Sequence, residues 1–146
     1  MSTVAQVGPV VRDEATAAFF DGTAAGEFLL RRCPAGHFSE PAATQCTTCG
    51  SGALSWQAAA GLARLVSWTV SYGRAAEGEP PPRTVLVIGE LDEGPWWWSQ
   101  LADGTEQLSV GARLRIEFRR ADDHEAVPVF VLAGVQGGRE PAMTGR

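Results

Sequence analysis

The clearest alternation in the chain lies between Ala112 and Arg119. Ala112, Leu114, Ile116 and Phe118 share one parity, and Arg113, Arg115, Glu117 and Arg119 share the other. A period of two with charges on one side predicts a strand with one face in a core. The run Leu62 to Tyr72 alternates less strictly. One face carries Leu62, Val66, Trp68, Val70 and Tyr72, the other Ser67, Thr69 and Ser71, which predicts a half-buried strand. Thr84 to Leu91 is apolar on both faces and requires cover on both sides. Asp92-Glu93-Gly94 then turns the chain into Pro95 and the run Trp96 to Leu101, a hairpin by its local signals. A last strand, Val127 to Leu132, follows the charged turn at 120–125, with Pro128 suited to an edge or to the first residues of a strand. Between the first two strands, residues 73–83 hold Glu77-Gly78-Glu79 and three consecutive prolines, so they predict a long, locally polyproline-like loop.

Five strands with one long loop suggest a small Greek-key barrel of the OB type at residues 59–133. The region ahead of it has a different pattern. Residues 1–12 lack a period and predict a flexible arm, and residues 134–146 predict a flexible tail. Asp13 can cap a helix whose first turn holds Glu14 and which Ala15, Ala17, Ala18, Phe19 and Phe20 continue as far as Gly22 or Gly26. Phe19 and Phe20 make its adhesive side and are candidate partner or ligand contacts. Residues 27–32 are extended in character and run into the first of the chain's cysteines. The helix and the cysteine region together span 13–58, giving a mainly β protein with an N-terminal helix, a zinc ribbon and a C-terminal five-stranded barrel.

All three cysteines fall within Cys33-Pro34-Ala35-Gly36-His37 and Cys46-Thr47-Thr48-Cys49-Gly50. Thiolates spaced C-x2-C on a tight turn can both reach one tetrahedral zinc ion, and Gly50 suits such a turn because it tolerates positive φ. The first half departs from that spacing: Gly36 stands where a second cysteine would be, with His37 one position on. The candidate ligands are therefore Cys33, His37, Cys46 and Cys49, with a structural role for zinc; a vestigial ribbon with free thiols is the other reading. The start of the chain shows no basic segment leading into an apolar one and no apolar run approaches the length of a membrane span, so a cytoplasmic, reducing location is expected, where clustered cysteines bind metal more often than they form disulfides. The net charge of -5, with all 12 basic residues arginine, argues against nucleic acid as the main partner.

Two surfaces remain. On a strand, Trp97 points opposite to Trp96 and Trp98, so one side can enter the core while the other is covered by a loop, by the ribbon, by a partner or by an acyl-CoA. The row Arg113, Arg115, Arg119 could hold the phosphates of coenzyme A, or could be a solvated strand face interrupted by Glu117. No nucleophile has a base beside it in the sequence pattern, and the two histidines sit in a knuckle and in a charged turn.

Taken together, Phe19-Phe20-Asp21-Gly22, Gly26, Leu30-Arg31-Arg32-Cys33, Cys46-x2-Cys49-Gly50, Ser67-Trp68-Thr69-Val70, residues 90–94, Gly111, Phe118 and Pro128-Val129-Phe130 resemble the acyl-CoA-associated family called domain of unknown function 35. The resemblance covers about residues 13 to 133. It implies a helix, a rubredoxin-like zinc ribbon and an OB-fold. It also implies a small accessory subunit, not catalytic alone, beside a thiolase-like partner: a thiolase, or a retro-aldolase of steroid side chains or lipids that acts on acyl-CoA. Intact members show C-x2-C-G at the first knuckle, whereas this chain reads as though that cysteine were deleted before Gly36-His37. From a different class comes the alternative of a single-stranded nucleic-acid-binding OB module with tryptophans as stacking platforms, and a third reading is an autonomous small enzyme.

Overall fold

In the computed structural model, which describes residues 7–102 and 107–133, Asp13 displaces the expected helix start. Its carboxylate accepts hydrogen bonds from the backbone N–H and the hydroxyl of Thr16, each at 2.9 Å, and so closes a turn ahead of the helix. Helix α1 therefore runs Ala17–Ala24, and Gly26, at φ +80°, turns the chain away from it. The part of the arm that is described is pinned, contrary to expectation. Val10 C=O accepts from Glu125 N–H at 2.9 Å, and the Arg12 guanidinium joins Asp21 at 2.6 Å to Glu125 at 2.9 Å. Residues 1–6 of the arm and the tail 134–146 lie outside the described residues.

After α1 comes a three-stranded antiparallel sheet with β1 (Leu29–Arg32) in the middle, flanked by β2 (Phe38–Ser39) and β3 (Ser55–Ala58). Phe28, just ahead of β1, and Leu30 within it enter the core and are buried. The second sheet has five strands, in the order β6-β5-β4-β7-β8: β4 is Leu62–Tyr72, β5 Arg83–Leu91, β6 Trp96–Gln100, β7 Arg113–Arg119 and β8 Val127–Leu132. It curls until its two outer strands meet. Leu101 and Phe130 form a parallel bridge, Ala102 N–H bonds Phe130 C=O at 2.8 Å, and the Ser99 hydroxyl donates to Pro128 C=O at 2.6 Å. One continuous apolar core results, in which Phe19, Phe20, Phe28 and Leu30 join Leu65, Val87, Leu114 and Phe130.

The expected faces hold along β7, where Leu114 and Ile116 are buried, but not along β4. There the buried residues are Ala63 and Leu65, with Leu62 and Val66 only half-buried. A bulge between Leu65 and Ser67 shifts the parity, so that Trp68 opposes Val87 and Val70 opposes Val85. These residues share the inward face, yet Trp68, Val70 and Tyr72 are 38%, 36% and 60% exposed. The strand outruns the barrel: β7 pairs with β4 only over Leu62, Ala63 and Arg64. Strand β5 departs from expectation in a related way. Val85, Val87, Gly89 and Leu91 are buried, but Leu86 on its other face is 43% exposed.

Gly89 sits where the side chains of Phe130 and Leu114 converge. An added Cβ would meet Phe130 Cζ at 2.8 Å and Leu114 Cδ1 at 3.2 Å. Gly89→Ala is expected to lower stability by about 1–3 kcal/mol through overpacking, read as a fall in the urea midpoint at unchanged slope.

Candidate functional site

Two backbone turns build the cysteine cluster. In the first, Cys33 N–H bonds His37 C=O at 3.0 Å and Gly36 N–H bonds Cys33 C=O at 2.9 Å, a closure that places Gly36 at φ +93°. A side chain is disfavoured at that angle, which accounts for glycine between Cys33 and His37. In the second, Gly50 N–H bonds Cys46 C=O at 2.9 Å with Gly50 at φ +79°, and the N–H groups of Thr48 and Cys49 both point at Cys46 Sγ at 3.3 Å. These turns bring the ligand atoms of Cys33, His37, Cys46 and Cys49 within 4.8 Å of one another. His37 Nδ1 lies 3.4 Å from Cys33 Sγ and 3.7 Å from Cys46 Sγ, and the Sγ atoms of Cys49 and Cys33 are 3.8 Å apart. The C-x3-H spacing thus suffices to bring an imidazole to the thiols. Three sulfurs and one ring nitrogen so placed can bind a metal ion. The backbone N–H groups of Cys49 and Thr48 stabilise the thiolate of Cys46 and hold its pKa down at about 6.

Beside this cluster is a cleft of about 870 Å³, with His37, Phe38 and Thr48 on one wall and Glu93, Trp96 and Trp98 on the other. The three tryptophans divide as strand parity requires. Trp97 turns inward, its ring centroid 5.0 Å from that of Phe28 and 5.8 Å from that of Phe19. Trp96 and Trp98 remain 53% and 71% exposed. Phe19 and Phe20, expected at a surface contact, are instead buried, because the short helix lays Phe19 onto Trp97 and Phe28, with Phe20 edge-on to Phe19. Trp98 also joins Leu86, Ile88 and Trp68 around a largely apolar slot of about 260 Å³, rimmed by Ser67 and Thr69. Sequence reasoning missed this slot as a site, although the two-sided apolar run at 84–91 carried the signal.

The arginine row does not form a free cationic surface. Arg113 makes a two-pronged pair with Asp92 at 3.1 Å, while Arg115 and Arg119 both hold Glu117, at 2.6 and 2.9 Å. These contacts, Arg115 first, keep the Glu117 carboxyl below its ordinary pKa. Phosphate would have to displace carboxylates already in place, so the geometry weighs against both a coenzyme A phosphate site there and a nucleic-acid surface. In the 120–125 turn, His124 Nδ1 lies 2.9 Å from Ala121 C=O, and no nucleophile faces it among the described residues. No helix among those residues is long and apolar enough to cross a membrane.

Comparison with known proteins adds the following. Residues 56–119 match the family model described as the C-terminal OB-fold domain of ChsH2. Among solved structures, a chain of one described as "Ltp2-ChsH2(DUF35) aldolase" is 25% identical, with a TM-score of 0.69, over 84% of this chain and 97% of that one. A DUF35-family protein of unknown function from Sulfolobus solfataricus is 14% identical, with a TM-score of 0.57, over 82% of this chain and 85% of its own, which is a likeness of fold. No curated protein matches the chain in sequence.

Metal analysis of the purified chain is expected to find about one ion per chain. His37→Ala should weaken that binding, and Cys46→Ser should abolish it. Protons compete for the same lone pairs. The ion should therefore be retained at neutral pH and released into a chromogenic chelator as the pH is lowered.

Proposed function

We propose, from the match of residues 56–119 to the model of ChsH2 C-terminal OB-fold domains, that this chain is a non-catalytic accessory subunit that binds a thiolase-like aldolase or thiolase and supports its acyl-CoA site. The observation that carries the reading is the uncovered apolar face of β5 and β6, where Leu86 and Trp98 stand exposed beside the slot they share with Ile88. Aromatic and aliphatic side chains around a small pocket are what interface anchors are made of. A free, soluble monomer gains nothing by exposing them. The partner's carbon-carbon bond chemistry, thiolytic or retro-aldol, is consistent with the lack of a nucleophile-base pair among the residues described here. Lipid or steroid side-chain breakdown in the cytoplasm is the setting that fits such a partner.

In this reading the ion at Cys33, His37, Cys46 and Cys49 is zinc. Four protein ligands saturate its tetrahedral preference, so its contribution would be to hold the two knuckles and the wall of the cleft they form. His37 and Thr48 then line the cleft from a fixed position opposite Trp96 and Trp98.

Co-purification from the native host tests the proposal. A tagged wild-type chain should retain an aldolase- or thiolase-like protein, identified by mass spectrometry. Leu86→Asp and Trp98→Asp should each weaken that complex by a factor of about ten or more while leaving the fold intact. Undiminished retention by both variants would sink the proposed interface, and turnover of acyl-CoA by the isolated chain would sink the accessory role.

A further inference from the structure

Strand β4 has an open edge. Leu65 is the last residue of the strand whose outward backbone groups are satisfied: its N–H bonds Ala112 C=O at 2.9 Å and its C=O accepts from Gly111 N–H at 2.8 Å. From there to Tyr72, no described segment pairs with that side of the strand. The direction of its peptide groups follows from the ladder. Gly73 N–H bonds Pro82 C=O, so Gly73 and Pro82 are a hydrogen-bonded pair, and Val85 turns its C=O toward Leu101 in the other direction. Hydrogen-bonded and non-hydrogen-bonded pairs alternate in an antiparallel ladder, and the register is Tyr72 with Arg83, Ser71 with Thr84 and Val70 with Val85. Trp68, Val70 and Tyr72 therefore direct both N–H and C=O away from β5, to the side where no described segment pairs with them.

We propose that this edge, from Trp68 to Tyr72, is where the catalytic partner adds a β-strand of its own; the inference rests on the accessory-subunit reading above. The occupant is an extended segment of alternating character. Its residues opposite Trp68, Val70 and Tyr72 share their face and are apolar, while those between lie with Ser67, Thr69 and Ser71 and are small or polar. Nothing on the edge opposes such pairing: residues 66–72 contain no charge and no proline, the usual guards of an exposed strand. A second copy of this chain could pair symmetrically about Val70, setting Trp68 against Tyr72 of the other copy. That arrangement would extend a flat ribbon and leave Trp68, Val70 and Tyr72 bare on one face and Leu86 and Trp98 bare on the other. A larger partner that encloses the arm covers both faces and the edge together.

Residue-resolved amide exchange separates the possibilities, using the complex purified on the tagged chain with its partner identified. Binding is expected to slow the amides of Trp68, Val70 and Tyr72 by about tenfold or more relative to the free chain, while those of Thr69 and Ser71, already bonded to β5, change little. Val70→Pro, which removes an outward N–H, should bind about fivefold more weakly than Val70→Ala, which keeps it. Unchanged exchange at Trp68, Val70 and Tyr72 in a complex that does form would overturn the strand addition and leave the accessory role standing. Slowing of the same amides in the free chain as its concentration rises would assign the edge to a second copy and overturn it too. If the wild-type chain retains no partner at all, the accessory reading falls and this inference with it. Should Val70→Pro unfold the free chain, the exchange pattern alone decides.

Discussion

Everything else in the molecule is arranged around the inward turn of Trp97. Its ring packs on Phe28, which enters the core just ahead of β1, and on Phe19 of α1, so helix, ribbon and barrel meet on one indole. Because strand side chains alternate, committing Trp97 to the core leaves Trp96 and Trp98 no choice but to face outward. The exposed aromatics are a consequence of how the core is closed. The same parity runs across to Ile88 and Ser67, which sit on the outer face beside Trp98.

The donor cluster and the aromatic face have different physical origins but share a cleft. Residues 40–54 bury very little apart from Cys46, so hydrophobic packing cannot hold them in place. Their order comes from turns, from N–H groups aimed at sulfur and from convergent ligands. The opposite wall is the β5–β6 hairpin, held by the barrel core. A groove with one wall fixed by burial and the other by turns around side chains that can bind a metal ion can respond to metal binding on one side alone.

Much of this was legible in the sequence, and the exceptions share a cause. The cysteine spacing, the hairpin at 92–94 and the alternation of 112–119 are local signals, and the structure follows them. The bulge after Leu65 left no such mark, because Val66 is β-branched like the residues around it; the one extra residue puts Ala63 and Leu65, and not Leu62, on the face that Trp68, Val70 and Tyr72 share. Asp13 is equally at home as a helix cap and in a turn, and only the Thr16 hydroxyl decided between them. The arginine row looked free because Asp92 is far from Arg113 in the chain, although the fold sets them 3.1 Å apart. Phe19 and Phe20 looked like surface because an eight-residue helix is too short to display which of its sides is covered.

The chain contains no lysine at all, and residues 65–73 hold no charge, with Arg64 and Arg74 flanking them in the chain and Arg83 opposite Tyr72 on β5. If the proposed partner covers this ribbon, a lone copy would present, among the described residues, an unguarded pairing edge and two partly exposed apolar faces, features that favour strand stacking. Its solubility would then be a property of the assembly. Synthesis in step with whatever covers that ribbon becomes a physical requirement, and an excess of this chain alone becomes a source of aggregates.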